Sequence, residues 1–439
     1  MELISKCSTF VEVLNSYLGL PSLILFLGTG IILTFKTGFA QVRAFPRFWY
    51  LITHGLKKSQ LHANTINPFH ALFSAMATTI GMGNIVGPSM AISVGGPGAL
   101  FWLIAYIFFG SVTKFTEVTF AVYSRISTKQ GDILGGPSQY LKLVAPWMGS
   151  WYAVLTLFLF TGWSSIQVNT LSCIWAQEGI PAWFSGLLAI SLLLVVVLGG
   201  VKRIGFVASR IVPLKFLFYV SFALLILAQN PAAVWSAIKL VIASAFTPGA
   251  ASGGLVGITL FKVMREGIYK SIFITEAGVG TSSIAHALAD AEYPTDQGIL
   301  AMFSGIADIF LCSLSGLLTL VTGVWTVGKL DNTLIYQAFK ISSPVAGGEI
   351  VLVISILLFV ITALIGNTYN GSQSFATITG YKYVKIYYIV AALIAFSGAF
   401  VAVPFIWNIM DVILVCVAVP NLLGILLLAF KYPHILKYR

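Results

Sequence analysis

The sequence predicts an all-α polytopic membrane protein, and three observations support that. Of 439 residues, 58% are hydrophobic and only 9% charged, with a mean hydropathy of +0.94; soluble domains carry near a quarter charged residues. Eleven stretches approach or exceed the roughly 20 apolar residues needed to cross a hydrocarbon core of about 30 Å. The basic residues then collect in alternate connections. This composition excludes a disordered chain, and the wide spacing of Cys7, Cys173, Cys312 and Cys416 excludes a disulfide scaffold and suggests no redox role. A formal charge of +11 does not indicate nucleic-acid binding, because no soluble basic domain carries it.

The first segment, Pro21 to Thr37, has Lys6 against Glu2 and Glu12 upstream and no small-residue cleavage site after it, so it reads as a retained helix rather than a signal peptide. Asn67 to Val94, Ala99 to Tyr123, Gly149 to Cys173, Ala182 to Gly199 and Phe206 to Ala228 follow. Next come Ala233 to Met264 with an interruption, Gly298 to Trp325, Ile350 to Thr377, Ile386 to Val403 and Trp407 to Phe430. Unpaired backbone groups in lipid cost several kcal/mol, so each is expected to be helical, with irregular backbone sheltered inside the bundle. With the N-terminus outside, 20 of the 25 Lys and Arg fall on the inner side, among them Lys57, Arg125, Lys202, Lys215, Lys262, Arg265, Lys270 and Lys431. The positive-inside rule therefore places the C-terminus in the cytoplasm of a multi-pass cell-membrane protein.

Two segments carry helix breakers at mid-membrane. Gly81, Gly83, Gly87 and Pro88 punctuate the second, and Phe246 to Gly254 interrupts the seventh. The breaks lie five segments apart. That spacing predicts one N-terminal helix with its loop (1–66), two five-helix inverted repeats (67–230 and 231–430), each opening with a broken helix, and a tail (431–439). In such repeats freed amides at a half-helix N-terminus hold a substrate carboxylate, and freed carbonyls hold a small cation. The competing reading is that the glycines only let helices pack closely.

Four further motifs join Gly81-Met82-Gly83-Asn84-Ile85-Val86-Gly87: Gly95-Gly96-Pro97-Gly98-Ala99-Leu100-Phe101-Trp102, Gly135-Gly136-Pro137, Gly199-Gly200-Val201-Lys202-Arg203-Ile204-Gly205, and Thr275-Glu276-Ala277-Gly278 with Ile284-Ala285-His286. In this order and spacing the sequence resembles the alanine or glycine:cation symporter family, which has the leucine-transporter-type fold. The resemblance implies alternating access and sodium-driven uptake of a small neutral amino acid, with sodium as coupling ion and no other cofactor. It implies that the amides of Met82 and Gly83, with Thr79, meet the substrate. It further implies one sodium on the carbonyls of Ala77 and Ile80 and the hydroxyl of Thr362, and another at Asn84 and Thr79, so that Asn84→Ala and Thr362→Ala are each expected to weaken sodium dependence. Ala363 lacks a hydroxyl that relatives carry there. Gln167 and Phe246 resemble pocket positions, Gln167 as a polar contact and Phe246 as a limit on side-chain volume; their alternatives are an interhelical hydrogen bond and ordinary packing. Where the family has a Trp followed by Tyr-Tyr-Gly-Glu, this chain reads Asn367-Thr368-Tyr369-Asn370-Gly371-Ser372-Gln373, which implies a substrate larger or more polar than alanine.

Lys114 and Glu117, three apart on one helical face, are expected to pair. Asp308 and Asp411 read as structural carboxylates or proton sites, Glu276 as an inner-loop gate contact, and His70 as an interfacial residue. Proton coupling is the alternative within transport. A membrane-embedded enzyme lacks its nucleophile, metal cluster and nucleotide loop here, and a channel lacks its charged rings or carbonyl filter.

Overall fold

The computed structural model describes residues 2–56, 65–128, 132–247, 259–327, 331–344 and 347–438, and those residues are mostly helical. The long helix α1 (Glu2–Lys36) comes first, followed by the short helices α2 (Ala40–Arg43) and α3 (Phe45–His54). The next helices are α4 (Pro68–Thr79), α5 (Met82–Gly95), α6 (Gly98–Tyr123), α7 (Pro137–Tyr140), α8 (Pro146–Trp175), α9 (Ala182–Val197), α10 (Gly200–Ala228) and α11 (Pro231–Ser244). The chain closes with α12 (Leu260–Thr275), α13 (Ser282–His286), α14 (Pro294–Thr322), α15 (Leu334–Ser342), α16 (Glu349–Thr379), α17 (Val384–Ser397) and α18 (Val403–Lys431). Capping residues set several starts. Asn67 accepts from Phe69 N, Asn230 from Ala233 N and Thr259 from Lys262 N, with Pro68 and Pro231 at first helical positions where a missing N–H costs nothing.

Among the described residues, nine helical stretches are long and apolar enough to cross a bilayer, counting α4 and α5 as one, while α9 and α11 are shorter apolar helices. This is a multi-pass membrane protein. The long helices wrap one buried centre: α6 crosses α14 and α12, and α8 crosses α16 and α18. Close crossings fall at glycines; a Cβ on Gly267 of α12 would lie 2.3 Å from the Ala99 carbonyl oxygen of α6. At the rim, Arg47 of α3 grips Asp296 of α14 with two hydrogen bonds of 2.9 and 2.7 Å, and this carboxylate holds the guanidinium above its usual pKa.

The expected seventh segment, Ala233 to Met264, is not one element. α11 ends against the start of α6, where a Cβ on Gly98 would lie 2.4 Å from the Ser244 carbonyl oxygen and Trp102 Nε1 donates to the Ala245 carbonyl at 2.9 Å. The chain restarts as α12. Of the break expected at Phe246 to Gly254, positions 248–254 lie outside the described residues. The interruption that is described comes later, at Glu276 to Thr281, between α12 and α13. Its turn requires left-handed backbone at Gly278 (φ 86°) and Gly280 (φ 83°), which glycine adopts without a Cβ clash.

The first interruption is shorter than the glycines suggest. Only Ile80 and Gly81 leave the helix, and α5 resumes at Met82. Gly81 is extended (φ −119°), so its backbone is open to any residue; Gly83 and Gly87 instead give room to Phe273, Ile274 and Lys270 of α12. α4 packs on α13 and α5 on α12, so the two interruptions lie side by side. This arrangement moves Lys262 and Arg265 to the end of the bundle where α6 begins, opposite Arg125, and leaves Lys270 buried inside α12 over the Trp407 ring, so the tally of 20 inner basic residues loses these three. Lys215 leaves it as well, being fully buried within α10.

Candidate functional site

A cavity lies between the two interruptions. Thr78 and Thr79 of α4, Gly83 of α5, Trp163 and Gln167 of α8, Phe273 and Ile274 of α12, Glu276 of the second interruption and Asn367 of α16 enclose it, and its open space is ≈ 10 Å³, about one water. Edge-to-face rings narrow one side, with Trp163 and Phe273 at 5.5 Å and Phe273 and Trp407 at 4.8 Å.

The backbone gives this cavity two poles. α5 opens with amides that have no intrahelical acceptor and with the positive end of its dipole. The Met82 amide donates to Gln167 Oε1 at 3.2 Å. Asn84, one turn in, caps the same end: its Oδ1 accepts from Gly81 N at 3.1 Å and its Nδ2 donates to Asp308 Oδ1 at 2.9 Å. The opposing pole is Glu276. It holds left-handed backbone (φ 58°, ψ 10°), rare for a residue with a side chain and a sign of strain stored at a site. Its amide closes α12 on the Ile272 carbonyl at 2.8 Å, and its carboxyl accepts from Thr281 Oγ1 at 2.5 Å.

Thr79, Gly83, Gln167 and Asn367 are thus brought together as the sequence suggested, with Met82 joined through its amide, and the Thr79 hydroxyl is buried without a hydrogen-bond partner. Phe246 is not brought in. It is 57% exposed and meets the Phe101 and Trp102 rings edge-on at 5.0 and 5.8 Å, because the interruption that borders the cavity lies some thirty residues further on. Phe273 supplies the aromatic wall expected of Phe246. Phe246→Ala should therefore leave the KM for amino-acid uptake within about twofold of wild type, since it removes only peripheral ring packing. Glu276, read from sequence as a gate contact, lines the cavity instead, and Trp163 was not anticipated. Lys114 and Glu117 do not pair: Lys114 donates to Ser304 at 3.4 Å, and Glu117 accepts from Asn421 at 2.7 Å.

The first sodium position implied by resemblance does not fit a metal ion. Lys215 of α10 donates through Nζ to both the Ile80 carbonyl and the Thr362 hydroxyl, and Ala77 is buried on α4. A sodium ion about 4 Å from that ammonium would meet a repulsion of roughly 4 kcal/mol at an effective dielectric constant near 20. At the second position, Thr79 Oγ1 and the Oδ2 of Asp308, whose Oδ1 is bonded to Asn84, are each buried acceptors without partners, the oxygen chemistry a hard cation prefers. Among the described residues no cluster of His, Cys, Asp and Glu forms a transition-metal site.

Comparisons with known proteins show the family and the fold. The profile of the Sodium:alanine symporter family matches residues 4–438. The Sodium/alanine symporter AgcS of Methanococcus maripaludis is 32% identical over 437 residues, covering 96% of this chain and 94% of that one. The Probable sodium/glutamine symporter GlnT of Bacillus subtilis is 32% identical, covering 93% and 85%. The structure of MhsT in complex with L-phenylalanine superposes with a TM-score of 0.61 at 16% identity over 83% of this chain and 89% of that one, a likeness of fold, the leucine-transporter type. The protein is a transporter rather than an enzyme, and it belongs to the sodium:alanine symporter family.

Proposed function

We propose that this chain couples the inward movement of sodium to uptake of a small neutral amino acid by alternating access. The observation that carries the reading is the pair of opposed poles across one closed cavity, the α5 amide end with Gln167 facing Glu276. A zwitterion matches both. Its carboxylate takes the Met82 and Gly83 amides with the Gln167 amide group, and its ammonium takes Glu276. Sodium binds next to the carboxylate, on Thr79, Asn84 and Asp308. Family membership and the sodium/alanine and sodium/glutamine names of relatives support the coupling ion. The spans number eleven in this reading: the nine long stretches, α9, and α12 with α13 as one interrupted span that opens the second repeat. α11 then connects the repeats. The N-terminus lies outside, the side that the remaining basic residues avoid.

Asn367 on the cavity wall makes the substrate range wider on the polar side than alanine alone. The test is uptake into proteoliposomes of labelled alanine, glycine, serine, asparagine and glutamine under an inward sodium gradient. Saturable accumulation with sodium but not choline, inhibited by serine and by at least one amide amino acid, is expected. Equal uptake without sodium contradicts the coupling, and a strict preference for alanine contradicts the assignment of Asn367.

A further inference from the structure

Lys215 sits where a soluble-looking reading of the sequence would never leave it. It lies on α10 with no exposed surface, flanked in sequence by Val212-Pro213-Leu214 and Phe216-Leu217-Phe218, well inside a long apolar span. A buried ammonium persists only if its donors and charge are met. Both are. Nζ donates to the Ile80 carbonyl, at the negative end of α4, and to Thr362 Oγ1 on α16, and it lies 4.8 Å from the centre of the Phe359 ring. The countercharge is Asp308 on α14, within electrostatic reach of Lys215, and held by Asn84 of α5 at 2.9 Å. Lys114 of α6 shares the Asp308 carboxylate, and its own amine donates to Ser304 at 3.4 Å. α9 has no titratable side chain, Tyr219 on α10 is bonded to Ser315, and Lys239 of α11 lies over the Trp235 ring.

One ammonium therefore ties the first interruption to α16 through the same carbonyl and hydroxyl that would otherwise coordinate an ion. We propose that Lys215 is a built-in cation that permanently replaces a metal ion at the Ile80–Thr362 position, so that each transport cycle carries a single sodium ion, the one bound on the Asn84 and Asp308 side. The consequence for energetics is direct. A carrier moving one sodium per amino acid accumulates substrate with the first power of the sodium gradient, where a two-sodium carrier uses the square. Lys215 is a positioning residue in this scheme. It fixes the geometry of the α4 end whether or not sodium is bound, and the sodium dependence resides elsewhere.

The inference rests on the sodium-coupled reading, and the experiment separates the two. Proteoliposomes containing the full chain are given labelled sodium and labelled alanine together, and the ratio of the initial fluxes is measured, with the Hill coefficient for sodium from the same preparation. One sodium per alanine and a Hill coefficient of one are expected; a ratio of two overturns the inference while leaving sodium coupling intact. Absence of any sodium-driven uptake overturns the coupling itself. Thr362→Ala and Asn84→Ala supply the second readout. Thr362→Ala is expected to lower the uptake rate while the sodium concentration for half-maximal uptake stays put, contrary to the sequence expectation, whereas Asn84→Ala should raise that concentration. A rise with Thr362→Ala as large as with Asn84→Ala assigns the hydroxyl to sodium and overturns the role given to Lys215.

Discussion

Glu276→Gln is expected to reduce the efficiency of sodium-driven amino-acid uptake by roughly tenfold to 150-fold, the equivalent of the ~1.5–3 kcal/mol that a hydrogen bond to a charged group contributes. The substitution keeps the volume and one carbonyl oxygen, which still accepts from the Thr281 hydroxyl at 2.5 Å, so the turn between α12 and α13 survives. What it removes is the negative pole opposite the α5 amides. The loss should reside in KM for the amino acid, because the ammonium contact forms on binding, and thermal stability in detergent should be unchanged or slightly higher. A Glu276→Gln protein with wild-type KM would remove this carboxyl from substrate recognition.

Gly366→Val is expected to abolish uptake by damaging the frame rather than the chemistry. Gly366 of α16 crosses α4 so closely that a Cβ there would lie 2.3 Å from Thr78 Cγ2 and 3.2 Å from the Thr78 amide nitrogen. Neither neighbour yields easily. Thr78 is β-branched and its hydroxyl is bonded to the Ala75 carbonyl at 2.7 Å, so its methyl group cannot swing away without losing that bond. Overpacking of this kind costs about 1–3 kcal/mol or more, and here it would push α4 from α16 beside Asn367 and Thr79. Gly366→Ala should show a smaller loss of thermal stability in the same direction. Normal yield and melting temperature for the valine variant would contradict a tight α4–α16 crossing at Gly366.

Much of the fold was legible in the sequence because lipid imposes one rule on every span, that backbone groups pair within it, and composition alone marks most spans. The α4–α5 interruption was legible too, since Gly81 and the following glycines stand out in an apolar run. Its length was not. Gly83 and Gly87 serve the approach of α12, and a glycine needed for contact looks the same in sequence as one needed for unwinding. The interruption that borders the cavity was not singled out for a related reason: Pro248 to Gly254 and Gly278-Val279-Gly280 are both glycine-rich, and it is the packing of α12 on α5 and of α13 on α4 that brings the latter to the cavity. A signal for it existed, because Gly278-x-Gly280 repeats the Gly81-x-Gly83 spacing beside a motif already singled out. Lys215 was read as an inner-face charge by counting alone. Its apolar flanks on both sides marked it as an intramembrane cation, and such residues are functional unless a partner explains them.

The central claim is that the amino acid and sodium bind one state of the cavity together, each supporting the other. Linkage makes this measurable without a membrane gradient: if sodium raises the affinity for an amino acid by some factor, that amino acid must raise sodium affinity by the same factor. Equilibrium binding of labelled alanine to the purified protein at a series of sodium concentrations, balanced with choline, gives one factor, and sodium titration with and without alanine gives the other. The account predicts equal factors of about fivefold or more. Alanine affinity that is identical in sodium and in choline would contradict it.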